Sequence, residues 1–598
     1  MGKITVAPSR EEVPSLSALG IKVHPDALTL AYDDRALASS YGVNGLKDLF
    51  ASRMVLLAAS AACIGGLLFG FDQGILSICL TMPQFQDQFP ETNADVNSSA
   101  SLNKGIMTAL LELGAFLGAF MSGYFSDRIV FVLKSLLISS HSIAFGMVWF
   151  IVGSVLQSAS YSFAQLVVGR FIGGIGIGIL SSTAPTYISE IAPPNIRGAL
   201  LVLEQFSIVL GIVVMYYITY GSRYLPGDGS FRLPFALQMF PCIILGGFLY
   251  QLPYSPRWLA LRGRDKECLT SLCRLRQLPD TDPRVQAEWI TIRAEAIRNR
   301  EVLVRAHPSM TDQSTKSEFK LELASWVDMF RAGSIRQTMI GILLMFFQQF
   351  VGINALIYYA PTLFEQLGLD YELQLTLSGA LNIAQLVAVV AAFFFLDKVG
   401  RKVFLIVGAI GLTASHAVVA AMIGTYSDNW PAHNGPAWVG VGFIFGVMIF
   451  YGIGWGPVPW AMPAEIHASS RRAKGVAITT CSNWLNNFII GLITPPLISG
   501  TKGYGAFIFF AFWSVLAGLW SFFFVPETKG RTLEQMDVVF KSRTAIEDAQ
   551  ARGDILQIVC EEALNATNNP RQVLKMEVQM VENVDEKKSG TPSTISQV

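Results

Sequence analysis

Charge is what this chain has least of: 15% of its 598 residues are Asp, Glu, Lys or Arg, where a soluble domain carries roughly 25%. The 44 acidic and 44 basic residues cancel, so no basic surface is set up for nucleic acid. Histidine (six) and cysteine (seven) are few and scattered, and no spacing among them makes a metal site or a disulfide framework. No short apolar stretch with a cleavage site lies in residues 1–50, so no signal peptide is expected and the first long apolar block must serve as the insertion signal. Outside the apolar blocks there is no nucleophile–base set and no phosphate loop, which argues against an enzyme, and nothing calls for a cofactor.

What the chain has in excess is apolar sequence, 52% of it, and this comes in long runs rather than in core-facing stripes. A membrane helix needs about 20 mainly apolar residues. Twelve blocks qualify, near 55–80, 105–125, 132–157, 163–182, 199–220, 233–252, 337–361, 374–396, 403–425, 437–460, 475–498 and 504–525. The third and fourth are hardest to part, because the break between Gln157 and Ser162 carries no charge. Arg128, Lys134, Arg197, Lys398, Arg401, Lys402, Arg471, Arg472 and Lys474 all fall at alternate block ends, on the side that also holds the basic segment 253–336. Basic loops stay cytoplasmic, so both termini are expected inside. The expected organisation is a cytoplasmic segment 1–53, a six-helix half 54–252, a cytoplasmic helical loop 253–336, a second six-helix half 337–525 and a largely disordered cytoplasmic tail 526–598. Within the loop, Val285, Trp289, Ile292 and Ile297 among charges predict an amphipathic helix over 284–305.

An internal repeat divides the chain. The second and eighth blocks end in Ser-Asp127-Arg128 and Leu-Asp397-Lys398-Val-Gly400-Arg401. The fourth and tenth are followed by Glu190 with Arg197 and by Glu465 with Arg472, the same seven residues apart. The sixth and twelfth end in Pro253-Tyr-Ser-Pro256-Arg257 and Pro526-Glu527-Thr-Lys-Gly-Arg531. Two halves of this kind put a binding site between them near the midplane and rock around it.

These strings, with Phe69-Gly-Phe-Asp72-Gln-Gly74, Gly169-Arg170-Phe-Ile-Gly-Gly174-Ile-Gly-Ile-Gly178, Pro185-Thr-Tyr-Ile-Ser-Glu190, Gln348-Gln349-Phe-Val-Gly-Ile-Asn354-Ala-Leu-Ile-Tyr358-Tyr359-Ala-Pro361 and Trp455-Gly-Pro-Val-Pro-Trp460, carry a resemblance along nearly all of 54–537. The chain resembles the sugar porters of the major facilitator superfamily, in particular proton-coupled monosaccharide transporters of the fungal type. The resemblance implies an all-α membrane fold of twelve helices in two pseudo-symmetric halves. The function it implies is alternating-access transport of a sugar, with a monosaccharide leading, together with a proton. A facilitative uniporter, a carrier of a polyol, disaccharide or quinate-like solute, and a sugar sensor stay open. The implied partners are a small sugar or polyol, a proton and the lipid bilayer of the plasma membrane, with a monomer as the working unit. The glycine string is not read as a nucleotide loop: it lies inside an apolar block, with Gly169/Gly173 and Gly174/Gly178 spaced for close helix packing.

A charge at the bilayer centre costs about 2.5–3.5 kcal/mol even on lenient scales, and Asp72, Glu112, Arg170 and Glu204 lie within the first half's blocks. The resemblance assigns Asp72 and Arg170 to proton coupling. A permanent ion pair holding the first and fourth spans together is the competing reading. For Glu112 and Glu204 a structural and a proton-carrying role are equally open. The second half is instead rich in amides, which donate to and accept from sugar hydroxyls. The resemblance places solute contacts at Gln205, Gln348, Gln349, Asn354, Tyr358, Asn382, Trp460, Asn483 and Trp484. On a straight helix Gln349 and Asn354 would sit about 140° apart, and a break at Gly352 would let both face one cavity.

The family's cytoplasmic gate maps onto Asp127, Arg128, Glu190, Arg197, Asp397, Arg401, Glu465, Arg472 and Glu527. The first half departs from the pattern. Ile-Val-Phe-Val-Leu follows Arg128 where the family has Gly and basic residues, and Tyr254 stands where it has an acid. In the second half His467-Ala468 replaces Phe-Pro. The expectation is a weakened latch in the first half.

The topology is checked by glycan mapping. Asn97, in Asn97-Ser-Ser99, lies in the outer loop and should accept glycan, whereas Asn565, in Asn565-Ala-Thr567, should not. Glycan at Asn565, or cleavage of 253–336 by protease added outside intact cells, would reverse the orientation.

Overall fold

The computed structural model describes residues 21, 23–42, 52–125, 141–193, 196–249, 252–306, 315–331, 334–467, 471–529 and 553–561. Asp127, Arg128, Lys134, Ala468 and Asn565 lie outside them, and of Arg197 and Asp397 only the backbone is described. Every regular element among the described residues is helical. Eleven helices are long and apolar enough to cross a membrane, and a shorter apolar one, His141–Ser158, makes the twelfth. The break between the third and fourth spans, which lacks charge, is made by hydroxyls. Ser160 Oγ donates to Gln157 O at 2.7 Å, closing one helix, and the Ser162 side chain accepts from Gln165 N at the start of Phe163–Ile191. These caps satisfy backbone groups that lipid cannot.

In the first half, the second span (Ala100–Phe125) and the fourth (Phe163–Ile191) pack backbone to backbone. A Cβ at Gly174 or Gly178 would fall 2.0 Å from the carbonyl oxygen of Leu111 or Ala115. One at Gly114 or Gly118 would fall 2.1 Å from that of Phe171 or Ile175. The glycines of the string are thus a packing surface, as their spacing predicts.

The seventh span is broken where the spacing requires it. Ile335–Phe350 stops, Gly352 takes φ +91°, and Ile353–Glu365 begins in a new direction. Both the left-handed backbone and the Phe510 ring, 2.6 Å from where a Cβ would stand, demand glycine there. The tenth span is also interrupted: a π-turn, Tyr451–Trp455, separates Asn434–Phe450 from Pro457–Ile466.

A second apolar core lies outside the spans. The predicted amphipathic helix forms as Pro283–Ala306 and buries Val285, Trp289 and Ile292 against Leu259, Cys268 and Leu272 of the same loop. Two parts of the chain that read as polar appendages join it. Helix Pro25–Tyr32 contributes Ala27, Leu28 and Ala31, and helix 553–561 of the tail contributes Ile555, Leu556, Val559 and Cys560. The tail therefore contains an ordered docking helix. Polar bonds fix the N-terminal part to the same bundle: Gln286 Oε1 accepts from His24 N at 2.6 Å, and Tyr41 OH donates to Glu288 Oε2 at 3.0 Å. Burial would push the Glu288 carboxyl up, but the charge and hydrogen bonds of Arg276 and the Tyr41 hydroxyl reverse this and hold it below the usual range.

Leu556→Asp should release the tail helix, since it forfeits at least the burial of a leucine, about 1.5–3 kcal/mol. Limited proteolysis of the purified protein should then cut faster on the N-terminal side of residue 553. Gln557→Ala, on the exposed side of the same helix, should leave the digestion pattern as in the parent.

Candidate functional site

A small pocket lies between the two halves. The first half lines it with Phe69 and Gln73 from the first span (Arg53–Cys79) and with Gln205 and three aliphatic residues from the fifth (Arg197–Ser222). The second half supplies most of the polar wall: Gln348, Gln349 and Asn354 from both pieces of the broken seventh span, Gln385 from the eighth (Tyr371–Val399) and Asn483 from the eleventh (Arg472–Gly500). Tyr451 and Trp460 of the interrupted tenth span add aromatic surface.

Most of these amides are already engaged with one another. Gln348 Nε2 donates to Trp455 O at 3.0 Å and Gly456 O at 3.2 Å, carbonyls at the junction of the π-turn with Pro457–Ile466, and Gln348 Oε1 accepts from Asn483 Nδ2 at 2.7 Å. Asn354 Nδ2 donates to Gln349 Oε1 and, at 2.7 Å, to Asn487 Oδ1. Of the lining amides, Gln205 and Gln385 have oxygens that are buried with no partner among the described residues. A buried polar atom left unpaired costs about 1–3 kcal/mol, and a hydroxyl-bearing solute in the cavity would satisfy both.

The structure brings six of the nine expected contact residues to this wall: Gln205, Gln348, Gln349, Asn354, Trp460 and Asn483. Three stand elsewhere. Tyr358 is just behind it, with its hydroxyl accepting from Gln73 Nε2 at 2.9 Å and donating to Glu112 Oε1 at 2.5 Å. Trp484 is fully buried, its indole donating to Ser181 Oγ across the halves at 3.0 Å and its ring meeting Phe69 edge-on. Asn382 is buried off the wall, and Gln385, three residues and about one turn further along, takes its place. Sequence reasoning passed over Gln73, Gln385, Tyr451 and Asn487. Gln73 sits inside the quoted first-span string next to Asp72, and polarity in an apolar span was the available signal for Gln385 and Asn487.

Beside the cavity, Asp72 and Arg170 form a bidentate ion pair at 3.2 and 3.1 Å, with side chains 1% and 0% exposed. Arg170 Nε also donates to Met107 O at 2.7 Å, so the guanidinium is held by two spans at once. Gln73, adjacent to Asp72, carries the contact on to the second half: Gln73 Nε2 donates to Asn354 Oδ1 at 3.2 Å. Glu204 is packed against Gly66 of the first span, while its neighbour Gln205 takes the cavity side.

The ends of the halves are tied differently. On the face opposite the loop bundle, Arg223 grips Glu372 at 3.0 and 2.6 Å and Tyr371 OH donates to Thr81 O at 3.3 Å, joining the halves. On the loop side, Arg401 Nη2 donates to Glu465 Oε1 at 2.8 Å, whose other oxygen accepts from Thr528 Oγ1 at 2.7 Å. Glu527 accepts from the backbone N of Arg401, Lys402, Thr528 and Lys529, at 2.9–3.1 Å, and so caps the helix Arg401–Tyr426. Gly400, at φ +112°, is the residue that lets this carboxylate in, since a Cβ would lie 2.6 Å from it. Glu190 and Arg472 are engaged too, near the loop-side ends of the fourth and eleventh spans.

Comparison with known proteins accords with this geometry. The family model described as "Sugar (and other) transporter" matches residues 58–540. A high-affinity glucose transporter of Kluyveromyces lactis is 34% identical over 80% of this chain and 83% of its own length. Sugar transporter STL1 of Saccharomyces cerevisiae is 32% identical over 80% of each. Among solved structures, the proton:xylose symporter XylE bound to 6-bromo-6-deoxy-D-glucose superposes with a TM-score of 0.66 at 27% identity, covering 82% of this chain and 99% of XylE. Membrane helices, a pocket between the halves walled by amides and a family match across most of the chain lead to one conclusion: this is a multi-pass membrane transporter, not an enzyme, and it belongs to the sugar transporter family of the major facilitator superfamily.

Proposed function

We propose that the protein is a sugar:proton symporter that works by alternating access in the plasma membrane, with both termini and the loop bundle in the cytoplasm. The observation that carries this reading is the Asp72–Arg170 pair, buried and bidentate, one residue from a side chain that lines the solute cavity. A carboxylate and a guanidinium buried together are tolerable only while paired. Protonation of Asp72 removes the attraction, leaves Arg170 on the Met107 carbonyl alone, and frees the first span to move against the fourth. Because Gln73 follows Asp72 directly and bonds to Asn354, that movement reaches the solute wall. The likeness to XylE, a proton:xylose symporter, adds support.

The solute in this reading is a monosaccharide. The two unpaired amide oxygens of Gln205 and Gln385 are acceptors for sugar hydroxyls. Gln348, Gln349, Asn354 and Asn483 can turn part of their bonding toward it, and Tyr451 and Trp460 offer faces for its C–H surface. Tyr358 supports the wall from behind. Glu190, Arg197, Asp397, Arg401, Glu465, Arg472 and Glu527, with Asp127 and Arg128, form the cytoplasmic gate, which parts when the loop-side ends of the halves separate. The opposite face opens when Arg223 releases Glu372. A single chain contains both halves and the whole cavity, so a monomer suffices.

Two measurements test this. Gln348→Ala should weaken binding of the transported sugar by roughly 1–3 kcal/mol, the cost of leaving buried partners unpaired, whereas Asn382→Ala, off the wall, should change it little. Equal losses from the two would remove the cavity assignment. In proteoliposomes, sugar added to the parent should drive proton uptake, and Asp72→Asn should abolish accumulation against a gradient while preserving exchange. If the parent takes up no protons, transport is facilitated diffusion; if Asp72→Asn still concentrates sugar, the coupling does not run through Asp72.

A further inference from the structure

The symport reading above uses one carboxyl, but the polar centre contains two. Glu112, on the second span, is 0% exposed, and it stands within electrostatic reach of Asp72 and Arg170. The groups that face it are Asp72 from the first span, Arg170 from the fourth, and Tyr358 and Tyr359 from the seventh. The eleventh span runs antiparallel beside it, with Thr108 against Gly491; Arg472 and Lys474 lie at its far, loop-side end, and Cys481 is its one other titratable residue. Two acids therefore share one base, and the base is committed in bidentate fashion to Asp72. A second uncompensated carboxylate at this depth is costly.

The hydrogen bonds around Glu112 have a direction. Gln73 Nε2 donates to the Tyr358 hydroxyl, which donates to Glu112 Oε1. Gln73 Nε2 also donates to Asn354 Oδ1, and Asn354 Nδ2 donates to Gln349 Oε1 and Asn487 Oδ1. Every link that runs through Tyr358 delivers its hydrogen toward Glu112. The two ends of the network are unsatisfied: Glu112 Oε2 and Asn487 Nδ2 are buried with no partner among the described residues. An amide can exchange its donor and acceptor ends by rotation without changing shape, and a hydroxyl can reverse by turning.

We propose that Glu112 is a second proton-binding carboxyl, resting on the symport reading, and that its proton reverses this network and so changes what Gln349 offers the solute. One proton from the aqueous phase converts the carboxylate to the acid. The acid hydroxyl then donates to the Tyr358 oxygen, and Tyr358 turns its own hydrogen to Gln73, which rotates to present its oxygen. Asn354 must now give its nitrogen to Gln73 and its oxygen to Gln349 and Asn487. Asn487 answers with the nitrogen that lacked a partner. Gln349, which lines the cavity, bonds Asn354 through nitrogen instead of oxygen and leaves its oxygen for a sugar hydroxyl. No bond other than O–H is made. The second half thereby senses a proton held by the first without a charge crossing the cavity.

The test is equilibrium binding of labelled D-glucose, or D-xylose if glucose does not bind, to the purified full-length protein across a range of pH. Solute-driven proton uptake is measured alongside. A single linked proton weakens binding by up to about tenfold per pH unit above its titration point. Asp72→Asn should keep a pH-dependent affinity, and adding Glu112→Gln should flatten it. Glutamine retains size and an oxygen that accepts from Tyr358, so the variant is expected to fold. Tyr358→Phe, with Glu112 intact, should also flatten the profile of Asp72→Asn, which loss of packing alone would not do. A parent that takes up protons, with a profile already flat in Asp72→Asn, would overturn the role of Glu112 and leave symport standing. A parent that takes up none removes the symport reading and this proposal with it.

Discussion

Backbone contact between the second and fourth spans sets the position of everything polar in the first half. Lipid gives helices no hydrophobic reason to associate, so surfaces that allow close approach decide the packing. Here Gly114 and Gly118 meet Gly174 and Gly178 so closely that a methyl group on any of them would fall within 2.1 Å of the facing carbonyl. At that separation Arg170 reaches both a carbonyl of the second span and Asp72 on the first. It also places Glu112 within electrostatic reach of that pair. A wider interface would leave the guanidinium short of Met107 and the buried charge under-compensated. The glycine ridge is thus the mechanical precondition for keeping ions in this part of the membrane.

The second half meets a different constraint, that of presenting many amides to one cavity. A straight helix could not turn both Gln349 and Asn354 inward, and Gln348 needs carbonyls with room for a further donor. The break at Gly352 meets the first need, and the tenth span meets the second just after its π-turn, where Pro459 has no N–H to give Trp455 O. Irregular backbone at membrane depth is tolerated only where other polar groups satisfy it, and Gln348 does this for Trp455 O and Gly456 O. The second piece of the seventh span, starting at Ile353, then carries Asn354 and Tyr358 to Gln73 and Glu112. The discontinuous helix is where the ionic chemistry of one half touches the amide chemistry of the other.

Much of this was legible in the sequence. The twelve apolar blocks, the repeat and the break at Gly352 follow from run length, motif spacing and the angle between Gln349 and Asn354. The loop helix follows from the period of Val285, Trp289 and Ile292. Other features escaped because they depend on tertiary placement. Asn382 and Gln385 are both polar residues in one apolar span, and only the rotation of that helix decides which meets the cavity. Tyr358 reads as a solute contact until its hydroxyl is found between Gln73 and Glu112. The tail helix at 553–561 is too short to announce itself in a polar region, and its apolar face becomes meaningful only against Trp289 and Leu28.

The loop side of the first half shows how a departure from a family pattern can change the kind of interaction rather than merely weaken it. Tyr254 stands where an acid was expected, and it stacks on Trp258 at 5.7 Å beside the apolar core of the loop bundle. Its carbonyl accepts from Ser271 Oγ at 2.5 Å. Arg276 of that bundle donates to Ile191 O at 2.9 Å, satisfying the end of the fourth span, and pairs with Glu288. Tyr187 of the same span donates to Pro253 O at 2.8 Å. The second half closes its loop side with carboxylates, Glu465 and Glu527, placed on an arginine and a helix N-terminus. In the first half the described contacts run instead through a packed bundle that also takes in both terminal segments. Apolar packing is not screened by salt as charge pairs are, so the loop-side end of the first half combines packing with partly buried ion pairs, Arg276–Glu288 and Arg257–Glu295 among them.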